Sequence, residues 1–210
     1  MKNSLLLDTA VPSLLATMDA LTLEPDFQLF FKKAAAAVRT LLNADGTALI
    51  LLDEESQTFE YKLFEGEQQH LLSAFKGFRF TATTGVAGRA LATKSSIFTR
   101  DYASAPEAIP EMVNAGLQSN LVIPLISSDK VLGVIASSWF KHTEKTAELS
   151  PQLLALAERI ASQIAVACHR DDLDQNHGRP ARSDRQVDKR LRHQDGDGTC
   201  TKYGLPGRAI

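Results

Sequence analysis

The sequence predicts an α+β fold: a central, mainly antiparallel sheet of five to six strands with helices on both faces, followed by a disordered C-terminal tail. Three observations lead there. Apolar residues recur at helical spacing near both ends of the ordered part. Between them lie alternating or continuous apolar runs of strand length, several joined by connections short enough for hairpins. From about Asp171 onward large aliphatic residues almost vanish.

Residues 1–22 carry Leu5, Leu6, Leu7, Val11, Leu14, Leu15, Met18 and Leu21, and are expected to form an N-terminal helical segment. In residues 26–42, Phe27, Phe30, Phe31, Ala34, Val38, Leu41 and Leu42 share one helical face, with Lys32, Lys33 and Arg39 mostly opposite. Pro25 suits the start of that helix, and Asn43 and Gly46 mark its end and the turn beyond. Residues 47–53 (TALILLD) are a buried strand. In TFEYKLFE, residues 58–65, Phe59, Tyr61 and Leu63 alternate with Glu60, Lys62 and Phe64, which makes the second arm of a hairpin. A polar connection follows, then a short edge strand within residues 75–80.

A helix is expected from about Thr84 to Thr93, capped by Thr83 or Thr84. Residues 95–101 are extended, and 102–118 form a loop with a short helix ending near Gly116. NLVIPLI (120–126) and KVLGVIASSWF (130–140) are two strong strands joined by Ser-Ser-Asp; Pro124 requires an edge position or a bulge. Ser150-Pro151 opens a long helix with Leu153, Leu156, Ile160, Ile164 and Ala167 as its apolar stripe. The two end helices would cover one face of the sheet and the middle segment the other.

Bulk properties narrow the function. With 210 residues, 44% hydrophobic and 23% charged, the chain can build one good-sized core. A formal charge of −2 gives no nucleic-acid surface over the whole chain. The tail is locally basic through Arg179, Arg182, Arg185, Lys189, Arg190 and Arg192, but Asp184, Asp188, Asp195 and Asp197 interleave, so a solvated tail is expected and nucleic acid is not. No run reaches the roughly 18 apolar residues of a membrane span, and the N-terminus lacks a secretory signal. Two cysteines, Cys168 and Cys200, imply no disulfide framework and fit a reducing cytoplasm.

Three segments together resemble the GAF domain family of small-molecule sensors, whose PAS-like fold agrees with the elements above, over about residues 23–169. In TGVAGRALATKSSIFTRDYASAP, Gly85 and Gly88 match the family's glycine helix opening, and Asp101 matches the aspartate after the next strand. SNLVIPLISSDKVLGVIASSWF is similar to the paired strands around Pro124 and Gly133, and LSPQLLALAERIASQIAVAC to the closing helix. The implied organisation is an N-terminal helical segment (1–22), a GAF sensory domain (23–170) and a disordered tail (171–210).

The resemblance implies a ligand held between the sheet and residues 85–117, with Gly85, Gly88, Arg89, Phe98, Asp101, Tyr102 and Met112 as candidate ligand-binding residues. Two readings stay open for most of these. Gly85 and Gly88 either pack the helix start closely or open its amides to an anion. Phe98 and Met112 are core or contacts, and Asp101 caps a loop or bonds the ligand. The ligand itself is not identified. Bilin is disfavoured because no cysteine precedes Cys168, haem because His70 and His142 sit in polar surroundings, and cyclic GMP because the Asn-Lys-Phe-Asp-Glu signature of its binders is absent. No metal site is expected.

The function implied is that of a regulatory small-molecule-sensing domain in signal transduction, bacterial in type and not an enzyme. Two other classes remain: a dimerisation module without ligand, and an enzyme resembling free-methionine sulfoxide reductase, disfavoured because neither cysteine falls at the pocket. A homodimer through the terminal helices is expected, since Leu154, Ala161, Ala165 and Val166 extend the closing helix's apolar surface beyond one stripe. No output-module signature follows His169, so either the domain acts through partner proteins or the sequence after about Arg170 is a truncated or frameshifted remnant. Deleting residues from Asp171 onward should change unfolding free energy by less than about 1 kcal/mol. Denaturant titration of the shortened and full chains checks this; a larger loss would mean that the tail packs.

Overall fold

A computed structural model describes residues 26–53, 55–66, 79–141, 143 and 148–177. The expected helix at 1–22, most of the polar connection, His70, His142 and Cys200 lie outside these residues.

Helix α1 spans Phe27–Leu42. Asp26 opens it by accepting the Leu29 amide at 3.0 Å, and Asn43 closes it in the left-handed conformation, with φ of 50°. Strands β1 (Gly46–Asp53) and β2 (Thr58–Gly66) form the expected hairpin. Gly46 belongs to β1 and not to the turn before it. The Phe64 ring lies where its side chain would be, so glycine there lets the ring pack over the strand. After β3 (Arg79–Thr81) come helix α2 (Gly85–Thr93), β4 (Ile97–Thr99), a 3₁₀ turn (Tyr102–Ser104) and the short helix α3 (Pro110–Asn114). Strands β5 (Leu117–Ser127) and β6 (Lys130–Phe140) lead to the closing helix α4 (Pro151–His177). This helix continues seven residues beyond the Arg170 boundary read from composition.

All strand pairs in the six-stranded sheet are antiparallel, in the order β3-β2-β1-β6-β5-β4. β3 is the short edge strand expected. At the other edge, β4 covers β5 only between Asn120 and Val122, so Pro124 sits past the covered stretch, and the β5–β6 register shifts next to it at Leu125/Ile126. Both devices accommodate a residue with no amide donor.

The central strands are buried on both faces, and their alternation feeds two separate cores. Leu49, Leu121, Ile123, Leu125, Ile135 and Trp139 point to the face covered by α1 and α4, where they meet Phe30, Val38, Ile160 and Ile164. Ala48, Ile50, Val122, Val134 and Phe140 point the other way, toward α2 and α3, where they meet Val86, Tyr102 and Met112. The end helices therefore share one face and the middle segment covers the other. On α4 the fully buried side chains include Ala157, Ala161 and Ala165, whereas Leu153, Leu156 and Ala167 are only half-buried. The stripe is rotated because small residues let α4 sit closely against α1.

One turn anchors both cores. The Asp45 amide donates to the Ser138 carbonyl (3.0 Å), and Asp45 Oδ2 accepts both the Phe140 amide and the Thr143 hydroxyl (2.8 Å each). Trp139 Nε1 donates to the Asn43 carbonyl at 3.1 Å, tying the same turn to the end of β6. Removing the buried carboxylate strands the Phe140 amide, so Asp45→Ala should lower stability by about 2–4 kcal/mol. Urea titration followed by tryptophan fluorescence would show it; a change below about 0.5 kcal/mol, the usual range for surface substitutions, would refute this role.

Candidate functional site

A narrow cavity of about 50 Å³ lies between the sheet and the α2–α3 segment. Its floor follows from strand register. Phe64, Ala48, Ala136 and Val122 form one row across β2, β1, β6 and β5; Gly46, Ser138 and Asn120 form the next. Small residues at Ala48, Ala136 and Ser138 leave room where bulkier neighbours would fill the face. Tyr61, Phe64 and Phe80 wall one side, and Val86, Ala87, Tyr102, Ile109 and Met112 close the top.

None of the sixteen lining residues carries a formal charge. The polar groups are the Tyr61 and Tyr102 phenols, the Ser138 hydroxyl and the Asn120 amide. Burial raises the pKa of both phenols, and the neighbouring Tyr102 adds to the effect on Tyr61, so both stay protonated at neutral pH. Tyr102 accepts the Ile109 amide at 3.3 Å, which fixes its ring beneath the loop before α3. Asn120 is only 7% exposed, and its Oδ1 has no hydrogen-bond partner.

The structure divides the residues expected at this site. Tyr102 and Met112 line the cavity while also belonging to the core of that face. Gly85 begins α2 with φ of 68°, against Ile109, and leads directly into the lining residues Val86 and Ala87. Gly88 faces the Thr83 carbonyl, where a Cβ would collide with backbone; its lack of a side chain serves close packing. Arg89 lies outside the lining and pairs with Glu107 at 2.9 Å, linking α2 to the loop before α3.

Phe98 is on the opposite face. It pairs with Leu121 in register and packs edge-on against Trp139, 6.2 Å between centroids, so it belongs to the α1–α4 core. Asp101 is exposed and accepts the Ser104 hydroxyl at 2.6 Å across the 3₁₀ turn, a bond that keeps its carboxyl below its ordinary pKa. Its contacts are those of a loop residue. Sequence reading missed Asn120, Ser138, Ala48 and Ala136. Their signal was present as small or polar residues at alternate positions of otherwise apolar strands, but it needs the register to be interpreted.

Cys168 is buried on α4 in the other core, across the sheet from the cavity. Among the described residues no cluster of three or more metal-ligating side chains occurs, and no helix is long and apolar enough to cross a membrane.

The antiparallel sheet, the two terminal helices on one face and a cavity under the middle helices define a GAF-type domain. The sequence profile of the GAF domain matches residues 25–169, and the chain belongs to that family. No curated protein matches the sequence. Among solved structures, the chain is similar to the GAF domain of a phosphoenolpyruvate-protein phosphotransferase from Coxiella burnetii, at 17% identity and a TM-score of 0.69, over 80% of this chain and 96% of that one. It is also similar to free methionine-R-sulfoxide reductase from Neisseria meningitidis, in complex with its substrate: 19% identity, TM-score 0.59, 75% of this chain and 89% of that one. The GAF-B domain of DevS from Mycobacterium smegmatis gives 19% identity and a TM-score of 0.55 over 72% of this chain and 99% of that one. At these identities the likeness is one of fold.

Proposed function

We propose that this is a regulatory sensor domain that holds a small molecule between the sheet and the α2–α3 segment and works as a homodimer. The observation that carries the ligand reading is the floor of small residues, Ala48, Ala136 and Ser138, beneath a ring of aromatic walls. Folded interiors are close-packed, so a persistent gap over the middle of a sheet calls for a purpose. Strand β5 gives the site an output. Asn120 and Val122 line the cavity while Leu121 and Ile123 pack on the α1–α4 side, so a molecule pressing on one face displaces the strand that α4 rests against.

The cavity's small volume favours a second reading, a module whose own side chains fill the pocket. One substitution separates the two. Ala136→Leu points its added carbons into the gap. On the sensor reading, native mass spectrometry of the purified wild type shows an added small-molecule mass, and the variant loses it while keeping its fold. Identical bare masses for wild type and variant, with the variant more stable, would support the side-chain-filled module instead.

Dimerisation is supported by Leu29 and Val166, 40% and 48% exposed, which lie on α1 and α4 of the same helical layer. Large apolar side chains exposed on adjoining helices favour burial against a second copy. Light scattering coupled to size exclusion should give twice the chain mass, and Leu29→Glu with Val166→Glu should return it to the monomer mass. A monomeric wild type would end this part of the reading.

A further inference from the structure

The polar groups around the cavity are arranged to suit one kind of ligand chemistry. Asn120 Oδ1, buried with its residue 7% exposed, has no hydrogen-bond partner. Thr99 stands directly opposite Asn120 in the β4–β5 register, is 9% exposed, and its hydroxyl also has no partner. Cross-strand partners share a face, so two orphaned polar atoms adjoin on the cavity side of the sheet. Leaving such atoms unmet is costly, and native proteins seldom do so without a function.

Across the cavity stands the start of α2. Val86 and Ala87 are part of the lining, and no side chain caps this helix. The first amides of a helix have no partners within it and carry the positive end of its dipole. The helix start therefore calls for an acceptor, and the Asn120 amide, which carries both an acceptor and donors, leaves its oxygen free to take a donor.

We propose that the cavity takes a small neutral molecule with an amide-type edge, its carbonyl toward the start of α2 and its N–H toward Asn120. This inference rests on the reading of the cavity as a ligand site. A carboxylate offers acceptors only, which suits the helix start, but it would give up its hydration where no cation lines the wall. An ammonium offers donors only and would meet the positive helix end. The two phenols and the Ser138 hydroxyl are neutral and can hold an uncharged ligand without ionic partners. The gap of about 50 Å³ sets the size to a few heavy atoms unless the walls move, below the roughly 150 Å³ of a cavity that accepts benzene.

The test uses the full chain and three probes: acetamide, acetate of the same shape, and xenon, which needs no hydrogen bond. Line broadening of the acetamide and acetate methyl signals reports binding, and the ¹²⁹Xe shift reports access to the cavity. Acetamide should broaden and acetate should not. Asn120→Ala should weaken acetamide binding by about five- to a hundredfold, as expected for loss of a buried hydrogen bond. The contrast between acetamide and acetate on the wild-type protein holds even if that variant fails to fold. Acetate binding as well as acetamide would overturn the amide assignment and leave the ligand site standing. Xenon entering while neither organic probe binds would do the same. No probe entering would overturn both the assignment and the ligand-site reading.

Discussion

The pairing register of β6 against β1 is the constraint on which both halves of the molecule depend. These strands are buried on both faces, and a slip of one residue would turn every inward side chain outward. Ile135 would leave the helical core for the cavity, and Ala136 would be pressed against α4. The turn from α1 holds the register at one end through Asp45, which bonds the backbone of both Ser138 and Phe140. Toward the other end, Gly133 lies so close to the Ile50 carbonyl and Leu51 that a side chain would not fit. A buried hydrogen-bond hub and a steric contact thus hold β6 at two points along its length.

With the register fixed, the difference between the two faces becomes a matter of side-chain size. The helical face receives Leu49, Ile135, Leu121 and Trp139, which pack against α1 and α4. The opposite face receives Ala48, Ala136 and Ser138 at its centre, with aromatic residues around them. The cavity is the volume those small residues fail to fill. Its lid is kept in place from outside by the Arg89–Glu107 ion pair, a half-exposed contact of modest strength that ties α2 to the loop before α3.

Much of this was legible in the sequence, for reasons that differ by element. Strands β5 and β6 were readable because they are long apolar runs around a short polar turn, and α1 because its aromatic and aliphatic residues keep helical spacing. The far end of α4 was not, because residues 171–177 are polar apart from Leu173 and show no apolar face, although the helix continues through them. A cavity lies where the sequence suggested a pocket, and its lining was legible only in part. Tyr102 and Met112 lie at the cavity; Phe98 turned away because Ile97 and Thr99 share the cavity face and strand alternation sends the residue between them to the other side. Asn120 could not be found without pairing β5 to β4 and β6, since no local pattern marks a buried asparagine as facing a gap.

One register builds a packed core on one face and a cavity on the other. Methyl-selective nuclear Overhauser measurements on the full chain test it most directly. Contacts are expected from the Ala136 methyl to the ring protons of cavity-lining aromatics such as Tyr61 or Phe64, and from Ile135 to the methyls of Ile160 or Ile164. Contacts from Ala136 to the α4 methyls, with Ile135 facing the aromatic walls, would contradict it.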